Sequence, residues 1–162
     1  MNKYGLHFFA LLLMVTAMAS CNNNQLYNQY SEVDTDGWDQ DSVIVFEADI
    51  QDTVSACDLL IQIRNTDKYS YQNLWLFVDS ESPAGIVQKD TIECYLADNT
   101  GKWLGKHFFS IYEMPVIYLR IKHFPIKGTY KFHVSQAMRE KQLKGISSIG
   151  LTIQKRKEDG QE

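Results

Sequence analysis

A chain of 162 residues with 16 Lys and Arg against 20 Asp and Glu has the length of one domain and a formal net charge of −4. That acidic balance, without a basic stripe anywhere, argues against nucleic acid as a ligand. The three cysteines form neither a CxxC nor a Cys/His cluster, which argues against structural zinc and leaves no implied cofactor.

The first segment is an address. Asn2 and Lys3 precede an almost wholly apolar run from Leu6 to Met18, and the small pair Ala19-Ser20 stands directly before Cys21. The run falls short of the roughly 20 apolar residues needed to cross a bilayer, and polar Asn22 to Gln25 follow at once. This is the pattern of a lipoprotein signal over residues 1–20, with Met18 as the apolar filler three places before the cut. Cys21 is then the lipidation site, its thiol taking the diacylglycerol and its freed amine a further acyl chain. Several chains on one residue anchor stably, because each buried methylene adds about 0.8 kcal/mol. Removing residues 1–20 takes away Lys3 and no carboxylate, so the mature charge is −5.

Residues 21–41 are rich in Asn, Gln and Asp and read as a lipidated flexible tether, with Trp38 the first residue able to dock on a core. Asp34, Asp36, Asp39 and Asp41 around Gly37 hint at calcium. The register is wrong for an EF-hand, so a solvated acidic linker is the plain reading and no metal is expected.

From Val43 the apolar period is two. Phe46, Ala48 and Ile50 alternate with charged residues, as do Leu59, Ile61 and Ile63, then Ile117, Leu119 and Ile121, then Tyr130, Phe132 and Val134, then Ile149, Leu151 and Ile153. Leu74 to Val78, Ile92 to Leu96 and Leu104 to Ile111 add further strands. Turn residues separate them at Asn65-Thr66-Asp67, Ser82 to Gly85, Asp98 to Gly101 and Pro125 to Gly128. Seven or eight half-polar strands are best buried as an antiparallel β-sandwich of jelly-roll or immunoglobulin-like type over 42–155, with a closed barrel as the alternative. One short helix is expected before the last strand, from an N-cap at Ser135 to Lys144, with Gly145 after its end. Residues 156–162 read as a charged, disordered tail.

Cys57 and Cys94 both fall on the apolar parity of their strands. An oxidising envelope permits a disulfide between them, and packing as two small hydrophobes is the alternative. His107, His123 and His133 are scattered, and no Ser or Cys sits in a nucleophile elbow, so no catalytic residue is assigned and an enzyme is not expected. Trp75 and Phe77 occupy the parity opposite Leu74, Leu76 and Val78. Tyr95 and Tyr118 are likewise off the core parity, with Arg120 beside the latter. Either a helix, a loop or a second buried face covers these residues, or they form a binding surface for a protein partner or for stacking sugar rings.

The lipobox at Cys21 occurs together with Arg64-Asn65, Tyr69-x-Tyr71-x-Asn73-Leu74, Asp90-Thr91, Leu96-Ala97-Asp98 and Gly101-Lys102-Trp103-Leu104-Gly105. Gly128-x-Tyr130-x-Phe132, Met138-Arg139, Leu143-x-Gly145-Ile146 and Ile149-Gly150-Leu151 complete a set that spans nearly the whole mature chain. In order and spacing this set resembles the GldH gliding-motility lipoproteins of the Bacteroidetes. The resemblance implies an envelope protein of the gliding and type IX secretion set, with partners among that machinery and no catalytic motif to carry over. Because no dense acidic run follows Cys21, the expected location is the outer membrane, on its periplasmic face rather than the cell surface.

Overall fold

The computed structural model describes residues 24–156. The signal expected at 1–20, the lipid acceptor expected at Cys21 and residues 157–162 lie outside the described residues. In chain order the strands are β1 (Gln25–Glu32), β2 (Trp38–Asp39), β3 (Ile44–Ile50), β4 (Cys57–Thr66), β5 (Asn73–Glu81), β6 (Val87–Tyr95), β7 (Lys106–Phe108), β8 (Ile111–Ile121), β9 (Gly128–Gln136), β10 (Gln142–Leu143) and β11 (Ile146–Lys155).

Strict alternation makes these segments strands, since one face of each must leave water. In β4, Cys57, Leu59, Ile61 and Ile63 are buried between partly exposed neighbours, and in β9 Tyr130, Phe132, Val134 and Gln136 are buried in the same way. The strands assemble into a five-stranded sheet of order β1-β11-β4-β8-β7, a four-stranded sheet of order β3-β9-β5-β6, and a small β10-β2 pair, all antiparallel. Inward residues of both sheets belong to one apolar cluster, and the architecture is an all-β sandwich. β3 to β4 and β8 to β9 cross between the sheets at the same end. That end holds Ile50 paired with Gly128 in one sheet and Cys57 paired with Ile121 in the other.

β11 reads as more than half-apolar because both its faces are covered. Ile149, Leu151 and Ile153 point into the core, while Gly150 lies under the Tyr30 ring, where a Cβ would come within 2.7 Å of the ring carbons. The Arg64 guanidinium stacks over the same ring at 3.9 Å, and its Nε meets Glu113 Oε2 at 2.6 Å. This layer ties β1, β4 and β8 together on the outer side of the five-stranded sheet.

Several expectations are corrected. Residues 25–41 are not a free tether: β1 pairs along β11 from Gln25↔Gln154 to Glu32↔Ser148, and Trp38 is buried in the core. A polar strand can form here because its backbone groups are satisfied by the edge of β11 and only Leu26, Tyr27 and Val33 need apolar cover. The helix expected over 135–144 is absent. Gln136 is buried and continues β9, its side chain accepting from Met138 N and donating to Glu140 O, and Leu143 then enters the core from β10. Gly145 does have positive φ, at 87°, but the reason is its close approach to the backbone of Tyr69.

The disulfide is absent as well. Cys57 and Cys94 are both free and buried, one on β4 and the other on β6 of the opposite sheet. The strand expected over 104–111 is broken by a hairpin after Phe108, with Phe109 at φ 53° in its turn. In β8 the pairing shifts between Leu59↔Leu119 and Leu60↔Ile117, and this bulge reverses the parity around it. Ile117 is therefore exposed, and Tyr118 joins the side chains packed on the core.

Candidate functional site

The outer face of the four-stranded sheet carries Trp75, Phe77 and Tyr95. Trp75 and Phe77 lie two residues apart on β5, which puts both on one face about 7 Å apart. Across the strand pair Trp75 stands opposite Glu93, Phe77 opposite Thr91, and Tyr95 opposite Asn73. Trp75, Phe77 and Tyr95 are respectively 38%, 50% and 58% exposed, so no helix or second sheet among the described residues covers them.

Their surroundings hold them in place. The Trp75 carbonyl accepts from Ala137 N at 2.8 Å and its N–H meets Met138 Sδ at 3.4 Å, although β9 has already ended. Glu93 accepts from Asn73 Nδ2 at 2.5 Å and from the Tyr95 hydroxyl at 3.0 Å. That bond to a carboxylate raises the Tyr95 phenol above its ordinary value. The next row is an Asp79–Lys89 ion pair of 2.9 Å, and beyond Phe77 the face continues through Ser135 and His133. The result is an aromatic patch on rigid strands with a charged border, and β6 at its edge leaves one side open.

Two of the five sequence-selected residues do not belong to it. Tyr118 lies on β8 in the other sheet and points between the sheets, its hydroxyl donating to Asp90 Oδ2 at 2.6 Å. Burial, and then Asp90, push its phenol well up. Arg120 is on the outer side of the five-stranded sheet, 3.9 Å from Asp58. Parity alone could not separate these residues from Trp75, because it assigns a face of a strand and not a sheet.

Sequence reading also passed over a set of aromatics at the end of the sandwich away from Gln25. Rings run from Tyr71 to Tyr69, Trp103, Tyr112 and His107 with centroids 5.8, 6.4, 5.7 and 4.5 Å apart, and Phe108 stands exposed beyond them. The available signal was the density of rings over 103–112. The acidic stretch around Gly37 folds locally, with Asp34 and Asp39 each accepting the N–H two residues on. Among the described residues no group of three His, Cys, Asp or Glu is placed to hold a metal. His107 lies on β7, His133 on β9 and His123 in the connection between β8 and β9.

What the geometry defines is an antiparallel two-sheet sandwich that carries an apolar patch bordered by charge on one outer face. The profile of the family described as GldH lipoprotein matches residues 25–153, β1 through nearly all of β11. The chain is similar to "Gliding motility lipoprotein GldH homolog" of Christiangramia forsetii, at 32% identity over 154 residues covering 91% of this chain and 94% of that one. It is also similar to "Gliding motility lipoprotein GldH" of Flavobacterium johnsoniae, at 31% identity covering 90% and 94%. The chain belongs to the GldH lipoprotein family. Among solved structures, "Structure of infectious bursal disease virus Gt strain" covers 80% of this chain and 31% of its own at 15% identity, with a TM-score of 0.34 that supports no argument.

Proposed function

We propose that this protein is a lipid-anchored, non-catalytic interaction component of the gliding and type IX secretion set, acylated at Cys21 and held on the periplasmic face of the outer membrane. The observation that carries the interaction role is the uncovered patch of Trp75, Phe77 and Tyr95 on the four-stranded sheet. Large rings on a rigid sheet bury much area at modest entropic cost, which is why such residues dominate interface energetics. Support for gliding comes from the names of the relatives, and support for the anchor from the residues around Cys21.

The test is affinity capture of the natively lipidated protein with its envelope neighbours, run beside Trp75→Ala. Truncating a true interface anchor often costs about 2 kcal/mol or more of binding, so the variant should lose its partners roughly 30-fold. Its melting temperature should barely change, because exposed substitutions usually stay within about 0.5 kcal/mol. A collapse of stability would instead make Trp75 a packing residue. A second reading rests on the same three rings sharing one face, as sugar-stacking residues do. Retention of the wild-type domain on envelope glycan, lost in Trp75→Ala, would favour that reading over a protein partner. Digestion of the domain by protease on intact cells would move the assignment to the cell surface.

A further inference from the structure

The end of the sandwich where β1 begins is built differently from the patch and from the distal aromatics. β1 starts at Gln25, paired with Gln154, and Lys155 N donates to Asn24 O, so the chain enters the fold at this end. Three connections finish here: 51–56 between β3 and β4, 82–86 between β5 and β6, and 122–127 between β8 and β9. Their tips show aliphatic side chains to solvent, Val54 at 87% and Ile86 at 71% exposure together with Ile126. These tips are shaped by the fold. Asp52 accepts from Val54 N, Ser55 N and Ser55 Oγ and is clamped by Lys155 at 2.6 Å. Tyr130 OH donates to Ile126 O, and Pro83 packs so closely on the start of β9 that a Cβ at Gly128 would meet it at 3.0 Å.

The unpaired charge within these three connections is positive. Lys122 and Lys127 are exposed and form no ion pair among the described residues, whereas Asp52 and Asp58 are each matched by a cation. Asp49, one residue before the end of β3, and Glu81, the last residue of β5, flank the connections. Chain length adds an independent constraint. Only residues 22–24 separate Cys21 from β1, and at about 3.6 Å per residue an anchor there lies within about 14 Å of this end. β8 alone, with 11 residues, spans about 35 Å, so when these connections face a membrane the distal aromatics stand well away from it.

We propose that this end of the sandwich lies directly on a phospholipid bilayer, with Val54, Ile86 and Ile126 entering the headgroup boundary and Lys122 and Lys127 facing lipid phosphates. The inference rests on the proposed acylation of Cys21, because contacts this few hold only when a short tether keeps them at ~mM effective concentration. The fold then stands upright, and both the aromatic patch and the distal hairpin are presented to partners away from the lipid.

The experiment places the full lipidated protein in phosphatidylethanolamine–phosphatidylglycerol vesicles brominated near the top of the acyl chains. Emission is compared between the unsubstituted protein and the variants Ile86→Trp, Val54→Trp and Phe108→Trp. Docking predicts that the emission added at 86 and at 54 is largely quenched while that at 108 is not. Unquenched emission at both proximal sites, or equal quenching at 108, overturns the proposal. The mass of the Cys21 peptide reports the anchor separately. If that peptide carries no lipid, coupling the Cys21 thiol to a maleimide phospholipid supplies the tether, and the same quenching pattern decides docking alone.

Discussion

Burial has changed the chemistry of single residues. Cys94 is fully buried beneath the aromatic patch, and removal from water, followed by the nearby Glu93 carboxylate, pushes its thiol from 9.0 up to about 12. Tyr69 and Tyr118 are raised in the same direction, each first by burial. All three are neutral when protonated, so between the unfolded and folded values the native state binds more protons than the unfolded one. Stability is therefore fully present below about pH 9 and falls as pH rises toward 12. Denaturation midpoints across that range should decline, and Cys94→Ala should flatten part of the slope. The same burial predicts that the native protein resists maleimide at neutral pH and takes up label at Cys57 and Cys94 on unfolding. A midpoint unchanged up to pH 11 would contradict this account.

At the scale of elements, turns and edges matter most. Gly145 has φ 87° and joins β10 to β11, where an added Cβ would lie 2.3 Å from Tyr69 N and 2.5 Å from its Cα. Gly101 has nearly the same φ, 83°, in the turn after Asp98, with nothing within 4 Å of such a Cβ. Gly101→Ala should thus cost only the left-handed strain of about 1 to 2 kcal/mol. Gly145→Ala adds a backbone collision that no side-chain rotation relieves, and should cost several kcal/mol, a large share of a small domain's stability. Chemical denaturation of the two variants measures the difference, and equal costs would show that the β10–β11 junction yields easily. β1 gives the second prediction at this scale. A protein starting at residue 42, the boundary that composition implies, lacks β1 and the buried Trp38 and exposes the edge of β11. It should melt far lower than one starting at residue 24, or aggregate, as circular dichroism and light scattering would show.

For the whole molecule, the consequence of β1 is a change of geometry. A tether of some twenty residues would let the domain wander far above a membrane, whereas a strand beginning at Gln25 leaves three residues after Cys21 and so sets which end of the fold is nearest that cysteine. The aromatic patch then lies on the flank of the fold and the Tyr69–Trp103–Tyr112 rings at its far end. Free thiols in both sheets mean that the sandwich is held by its shared core and its ladders, with no covalent clamp between layers among the described residues. Tyr118 to Asp90 contributes one polar link between the sheets, at the side where β8 and β6 approach.

Fold class and strand positions were legible in the residues, because alternation is a local property: in β4, β5 and β9 each next-but-one side chain shares a face whatever the strand pairs with. Trp75 and Phe77 were placed outward for the same reason, and the family was legible because its motifs are spread along the chain. Composition misjudged β1, whose stability resides in backbone bonds to β11 and in a cap of Tyr30 and Arg64, none of which is local. It misjudged 135–144 because helix-favouring caps there compete with a core that takes in Gln136 and Leu143. A bulge one residue long moved Ile117 out and Tyr118 in, placement at opposite ends of the sandwich set Cys57 apart from Cys94, and sheet membership set Arg120 apart from Trp75. Periodicity thus determined which face each strand buries, and only tertiary pairing decided which strands, and so which outward residues, share a surface.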